Sequence, residues 1–249
     1  MAANAPNAAR GVLVIPAFNE APRLATLLER IRVEQPALEV VVVDDGSRDA
    51  TAQIAAQAGA TVLRHPFNLG YGAGLQTGYK YAVATDARFV VQMDADGQHD
   101  PRDIARLLEP LERGECDLVI GSRFLAPTGY EMGFLRTLGR RFFVGLARSF
   151  GIRVTDPTSG FQALGKRVLA LYVGDAFPSD YPDVDVLLTA HRHGLEVREC
   201  SVEMHASPRK STLHGGLRSI WYLYKMLLAV WAASGGGPNE RRPDARAPA

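Results

Sequence analysis

Cysteine is scarce. The 249 residues hold two, Cys116 and Cys200, far apart and without metal-ligand spacing. That excludes a disulfide scaffold and a thiolate zinc site, and it fits a reducing cytoplasm. Charge of one sign is also missing: the formal net charge is +1, so no global field points to nucleic acid. Residues 1–10 have neither a charged start nor an apolar h-region, so no signal peptide is expected. The stretch Ile220 to Trp231 is strongly apolar, with Lys225 its only charge. As a helix it would reach about 20 Å, short of a hydrocarbon core of about 30 Å. No internal repeat is visible, and the Gly-x-Gly-x-x-Gly frame of a dinucleotide site is absent.

What is present is a set of acids at the ends of apolar runs. Arg88 to Met93 is a short strand-like segment that runs into Asp94-Ala95-Asp96-Gly97-Gln98. Alternate side chains of a strand share a face, so Asp94 and Asp96 converge at its exit, with the oxygen of Gln98 two residues on. Hard cations such as Mg²⁺ and Mn²⁺ take such oxygen ligands together with substrate phosphates; the alternative is an acidic turn that only ends a strand. Val12 to Ile15 is a second run, broken by Pro16 and followed by a helical pattern through Ile31. Val40 to Val43 is a third, ending in Asp44-Asp45-Gly46-Ser47. Strands that alternate with helices predict a parallel, doubly wound α/β sheet, with ligands beyond the carboxyl ends of its strands.

With 47% hydrophobic residues, the chain can bury one full core. The expected organisation is a disordered N-terminus over 1–10, one domain over 11–234 and a disordered Gly/Pro/Ala/Arg tail over 235–249. From Ser122 to Arg167 there are eight Lys or Arg against two acids, a basic middle suited to lipid phosphates or an anionic membrane surface. Within it, Phe134 to Phe150 sets Leu135, Leu138, Phe142, Leu146 and Phe150 on one stripe, with arginines elsewhere around the helix. Residues 134–150 and 219–234 are therefore candidate interfacial helices, the second equally able to dock on an integral membrane partner or on its own sheet. The six histidines form no ligand set and most read as surface or packing residues; His191 and His193, two apart, do not share a helix face.

The blocks Pro16-Ala17-Phe18-Asn19-Glu20, Val43-Asp44-Asp45-Gly46-Ser47, Asp94-Ala95-Asp96-Gly97-Gln98 and Gly121-Ser122-Arg123 resemble the signatures of family-2 glycosyltransferases with the GT-A fold. The branch they look most like is the polyprenyl-phosphate glycosyltransferases, including dolichol-phosphate mannose synthases. The resemblance covers roughly Val12 to Trp231. It implies a Rossmann-like single domain with a mostly parallel central sheet flanked by helices, and C-terminal amphipathic helices. It also implies an enzyme that transfers a sugar, with inversion, from a UDP- or GDP-linked donor to a polyprenyl phosphate, with Mg²⁺ or Mn²⁺ as cofactor.

On this resemblance Pro16, Phe18, Glu20, Val43, Asp45, Asn68, Asp94, Ala95 and Asp96 bind the nucleotide sugar. Glu20 would accept from ribose hydroxyls and Asp45 would hold the base through its ring N–H, while Phe18 stands where many relatives carry Tyr. The Gly-rich run Asn68, Gly70, Gly72, Gly74 would lie along the donor. Asp96 and Gln98, with Asp94, would hold the metal. Arg123, Arg136, Arg209, Lys210 and Ser211 would take the acceptor phosphate, and the catalytic set would be Asp96, Arg123, Arg136 and Asp156. Asp156 opens an acceptor-side block, Asp156-Pro157-Thr158-Ser159-Gly160-Phe161-Gln162; its alternative role is to cap a following helix.

A phosphomonoester has a second pKa of about 6 and is largely dianionic at neutral pH, so it needs positioning rather than a general base. A hydroxyl acceptor would need one, and Asp185 falls near the place where hydroxyl-directed relatives hold theirs. A third reading is an inactive scaffold beside a membrane protein, against which the intact Asp94, Asp96 and Gln98 argue. The expected setting is the cytoplasm, peripheral on the inner membrane face.

Overall fold

The computed structural model describes residues 11–125, 134–180, 182–205 and 228, without the side chains of 134–136. In chain order the elements are β1 (Gly11–Ala17), α1 (Ala21–Glu34), β2 (Glu39–Asp44), α2 (Thr51–Gln57), β3 (Thr61–Arg64), α3 (Tyr71–Ala84) and β4 (Phe89–Gln92). Then follow α4 (Ile104–Glu112), β5 (Leu118–Ser122), α5 (Phe134–Ser149), β6 (Gln162–Gly165), α6 (Lys166–Tyr172), α7 (Val184–Arg192) and β7 (Val197–Ser201). The sheet order is β3-β2-β1-β4-β6-β5-β7. Among the described residues only β6 runs antiparallel, between β4 and β5. The expected mostly parallel α/β domain is what the chain forms.

β1 is buried along its whole length, and its alternation serves both faces of the sheet. Leu13 and Ile15 join a cluster with Leu24, Leu27, Leu28 and Ile31 of α1 and with Ile104 and Leu107 of α4. Val14 points the other way, where Gly78 lets α3 lie directly against it. The α1 spacing of i, i+3, i+4, i+7 is that of a helix covering one sheet face, and helices on both faces are what a parallel sheet requires.

Pro16 does not break β1 as its chemistry suggested. The Val14 carbonyl accepts from Met93 N and the Ala17 carbonyl from Asp45 N, so alternate residues face β4 and β2. Pro16 therefore faces beyond the last paired residue of β4, where its missing N–H costs no ladder bond. The two thiols are core groups: burial pushes Cys116 and Cys200 each up to about 11, which keeps them protonated and unreactive.

α5 buries a different stripe from the one singled out as interfacial. Phe143, Val144 and Ala147 are the buried residues, while Leu138 and Phe142 stand 57% and 44% exposed. Arg140 turns inward, its guanidinium 4.2 Å from the centre of the Phe124 ring and bonded to the Thr155 carbonyl. Among the described residues no helix is long and apolar enough to cross a membrane.

Candidate functional site

The carboxyl ends of β1, β2 and β4 lie side by side, and the loops leaving them are stitched together. Asn19, at φ 56°, donates its backbone N–H to Ser47 Oγ and accepts from Arg48 N with its side chain, each at 2.9 Å. Glu20 N donates to Thr51 Oγ1 at 2.9 Å. Asp44 accepts from Ser47 N, closing the turn in which Gly46 takes φ 72°. A side chain there would strike the backbone of Phe67, so only glycine fits.

Asp45 is buried and held by three hydrogen bonds. Its Oδ1 accepts from Leu69 N at 2.8 Å and from His65 Nδ1 at 2.7 Å, and its Oδ2 from Gly70 N at 3.0 Å. It thereby sets the position of the 65–70 loop, which carries Asn68. Above it opens a cavity of about 730 Å³ lined by Phe18, Ser47, Arg48, Arg64, Phe67 and Asn68. Exposed aromatic faces with two guanidinium groups suit a flat heterocycle joined to phosphate. Pro16 and Val43 are strand residues with buried side chains, so Val43 can meet a ligand only through its main chain. Glu20 is paired with Arg23 at 2.8 Å.

At the end of β4, Asp94 keeps 30% side-chain exposure. Tyr71 OH donates to its Oδ1 at 2.7 Å, and His99 Nε2 lies 3.3 Å from its Oδ2. Burial alone would raise its carboxyl; the hydrogen bonds from His99 and Tyr71 and the charge of Arg123 hold it below the usual range. Asp96 shows the opposite: burial, then the neighbouring Asp94 charge, push it up. Its Oδ1 accepts from Gln98 N across Gly97, at φ 76°. Gln98 gives its amide nitrogen to the His205 carbonyl, leaving the amide oxygen as its cation-type donor. Ala95, between the two acids, is buried.

Among the described residues no group of three or more His, Cys, Asp or Glu forms a cage for a metal. Two neighbouring carboxylates, of which Asp94 makes Asp96 harder to ionise, plus one amide oxygen, make an incomplete shell. That donor set fits a magnesium-type ion completed by substrate phosphates.

On the far side of β4, Arg123 and Asp156 face each other. Arg123 donates from Nε and Nη2 at 2.6 and 2.7 Å, and Asp156 is wholly buried. No helix follows Asp156, since the chain turns directly into β6, so its alternative capping role falls away. The turn is held by Glu199, which accepts from Thr155 N and Asp156 N, and by Ser122 Oγ against Thr155 Oγ1. Asp185 sits in the first turn of α7, buried, accepting from Asp183 N at 3.0 Å. Desolvation pushes its carboxyl up. Arg209, Lys210 and Ser211 lie outside the described residues, as do the Arg136 side chain and all of Ile220–Trp231 except Leu228.

The structure brings in residues that the sequence did not single out. Tyr71, His65 and His99 touch the acids directly, and Phe67 and Arg48 line the cavity. Two of the six histidines, read as surface or packing groups, thus belong to the site. The one signal for His99 was its place three residues after Asp96.

The glycosyl transferase family 2 model matches residues 12–171. The undecaprenyl-phosphate mannosyltransferase of Micrococcus luteus is 33% identical over 84% of this chain and 89% of its own. The polyprenol monophosphomannose synthase of Mycolicibacterium smegmatis is 30% identical over 64% and 63%. Among solved structures, glucosyl-3-phosphoglycerate synthase from Mycobacterium tuberculosis, in complex with Mn²⁺, UDP-glucose and phosphoglyceric acid, aligns with a TM-score of 0.70 at 23% identity. That alignment covers 96% of this chain and 82% of that one. The chain belongs to glycosyl transferase family 2, and it is a glycosyltransferase.

Proposed function

We propose that this family 2 glycosyltransferase moves a sugar from a nucleoside diphosphate to a polyprenyl phosphate, with inversion at the anomeric carbon. The observation that carries the reading is the pair Asp94 and Asp96 at the end of β4, on the same edge of the sheet as the 730 Å³ cavity between the β1 and β2 loops. The cavity would take the base and ribose, with Phe18 and Phe67 offering ring faces. Asp45 would act from below, by holding the 65–70 loop and through the remaining lone pair of its Oδ2. Asp96, with Asp94 and the Gln98 amide oxygen, would hold Mg²⁺ or Mn²⁺, an ion that neutralises charge on the leaving diphosphate. The Mn²⁺ and UDP-glucose bound by the mycobacterial synthase support the donor side.

The acceptor side rests on the relatives named for undecaprenyl-phosphate and polyprenol substrates. A phosphate dianion attacks without losing a proton, so the protein has to place it and screen its charge. Asp156 already balances the charge of Arg123, so this arginine would act as an oriented donor rather than as net charge. The net charge would come from Arg136 and the Arg209–Lys210–Ser211 group. The exposed Leu138 and Phe142, with the exposed Arg141 and Arg148 on the same helix, suit a peripheral seat on an anionic membrane.

One observation favours a second reading. Asp185 is buried with its carboxyl pushed up, a property of a general base, which a hydroxyl acceptor would need. The deciding experiment offers UDP- and GDP-sugars with Mn²⁺ to a prenol and to its phosphate. Sugar on the phosphate alone supports the proposal. Sugar on the free alcohol, lost in Asp185→Asn, replaces it with the second reading.

A further inference from the structure

Asp94 is enclosed on three sides by elements from three parts of the chain. Tyr71, the first residue of α3, donates to Oδ1, and His99, from the loop after β4, lies against Oδ2. The third wall is backbone. A Cβ at Gly160 would come within 2.8 Å of Asp94 Oδ2 and 2.9 Å of Tyr71 OH. That backbone is itself fixed, because Gln92 donates to the Gly160 carbonyl at 3.1 Å.

His99 has a cost that packing does not explain. It is 2% exposed and lies on the Phe161 ring at 4.8 Å, yet its Nδ1 is buried without a hydrogen-bond partner among the described residues. A buried polar atom left unsatisfied is destabilising, and a leucine would fill the same space without it. The polar contact that its ring makes is to Asp94. Tyr71 is equally specific: burial and the Asp94 charge push its phenol well above the ordinary value, so it stays a donor.

We infer that Tyr71 and His99 are positioning residues of the donor site, acting through Asp94. They fix the angle of that carboxylate so that a diphosphate and its cation meet it without rearrangement. The inference rests on the transferase reading. Groups that orient a metal-site ligand typically change affinity 10–100-fold when removed, even though they touch neither metal nor substrate.

The test is calorimetric titration of UDP and GDP in the presence of Mn²⁺, beside thermal unfolding. It compares wild type, His99→Leu, His99→Gln, Tyr71→Phe and Gly160→Ala. His99→Leu should unfold no lower than wild type and bind the nucleotide that wild type prefers at least tenfold more weakly. His99→Gln, whose amide reaches roughly where Nε2 stood, should recover most of that loss. Tyr71→Phe removes one oxygen and should weaken binding several-fold with the fold intact. Gly160→Ala removes no partner of Asp94 but pushes on it, and should weaken binding too. Wild-type affinity in both His99→Leu and Tyr71→Phe overturns the inference while leaving the transferase reading standing. So does a loss in His99→Leu that follows a fall in unfolding temperature and is not recovered by glutamine. A wild-type protein that binds neither nucleotide sinks the transferase reading first, and the inference with it.

Discussion

Arg123 and Asp156 form a two-pronged ion pair at the end of β5, its two side-chain hydrogen bonds 2.6 and 2.7 Å long, with Asp156 sealed from solvent. Breaking such a pair from one side strands a buried charge, which typically costs about 3–5 kcal/mol. Arg123→Ala and Asp156→Ala should each lower stability by that order in urea unfolding. The double variant should lose clearly less than the sum. Additive losses would show that the two charges are not coupled. An activity defect in Arg123→Ala therefore has to be separated from unfolding before it is assigned to the acceptor.

Asp96 behaves differently, because the fold raises its carboxyl and gains little from its charge. Asp96→Ala should keep the unfolding temperature of wild type and lose about 10²-fold or more in turnover, as expected when charge stabilisation at a reacting diphosphate is removed. EDTA should reproduce the loss in wild type, and Mn²⁺ should reverse it. Turnover near the wild-type rate in Asp96→Ala would remove this residue from the metal site.

Asp185 gives a stability test with a definite sign. Burial raises its folded pKa above the unfolded value of about 3.9. The folded state thus holds this proton more tightly, and its contribution falls as pH rises above about 4. Asp185→Asn keeps an oxygen for Asp183 N and removes the ionisation. It should unfold higher than wild type at pH 7 and equal to it near pH 3. With a phosphate nucleophile, turnover should stay within about threefold; a hydroxyl nucleophile predicts a loss of about 10²-fold.

Asp100 runs the other way. The two-pronged hydrogen bonds of Arg102 hold its carboxyl far below the ordinary range, joined by His205 at 3.1 Å; Arg30 Nη2 also lies 3.1 Å away. A depressed carboxyl stabilises the fold above its unfolded pKa of about 3.9, and the gain is lost as pH falls towards the folded value. Asp100→Asn should therefore unfold below wild type at pH 6, and the gap should narrow on titration towards pH 3. A gap constant over that range would mean that the ion pair adds nothing.

The exposed face of α5 predicts a surface effect only. Leu138→Glu and Phe142→Glu should leave thermal unfolding unchanged. Each should weaken sedimentation with phosphatidylserine vesicles about fivefold or more, since one charge near an anionic surface is worth about 1 kcal/mol. Equal sedimentation of wild type and both variants would remove the membrane seat from this helix.

The acids of the site were legible because their placement is local. A strand fixes which side chains share a face; Asp44 ends β2, Asp45 follows it, and Asp94 and Asp96 lie just past the end of β4. Tyr71 and His65 were not legible. They reach Asp94 and Asp45 from 23 and 20 residues away, through the packing of α3 and the end of β3. α5 shows a limit of another kind. Two apolar stripes, Leu138 with Phe142 and Phe143 with Ala147, both satisfy helical periodicity, and only the neighbouring elements choose which is buried. Pro16 was misread because the cost of its missing N–H depends on which neighbour it faces, a property of sheet register.

The reversed direction of β6 has a consequence for how the enzyme is made. The first four strands in the chain, β1 to β4, are adjacent in the sheet and complete at Gln92, so this half of the sheet has all its strands once that residue leaves the ribosome. The turn that presents Asp156 is reached before β6 and rests on Glu199, which lies 43 residues further along. At the usual 5–20 residues per second of synthesis, Asp156 waits about 2–9 s for that support. Through that interval the first four strands have all their partners in the chain, while the turn at Asp156 lacks the carboxylate that holds it.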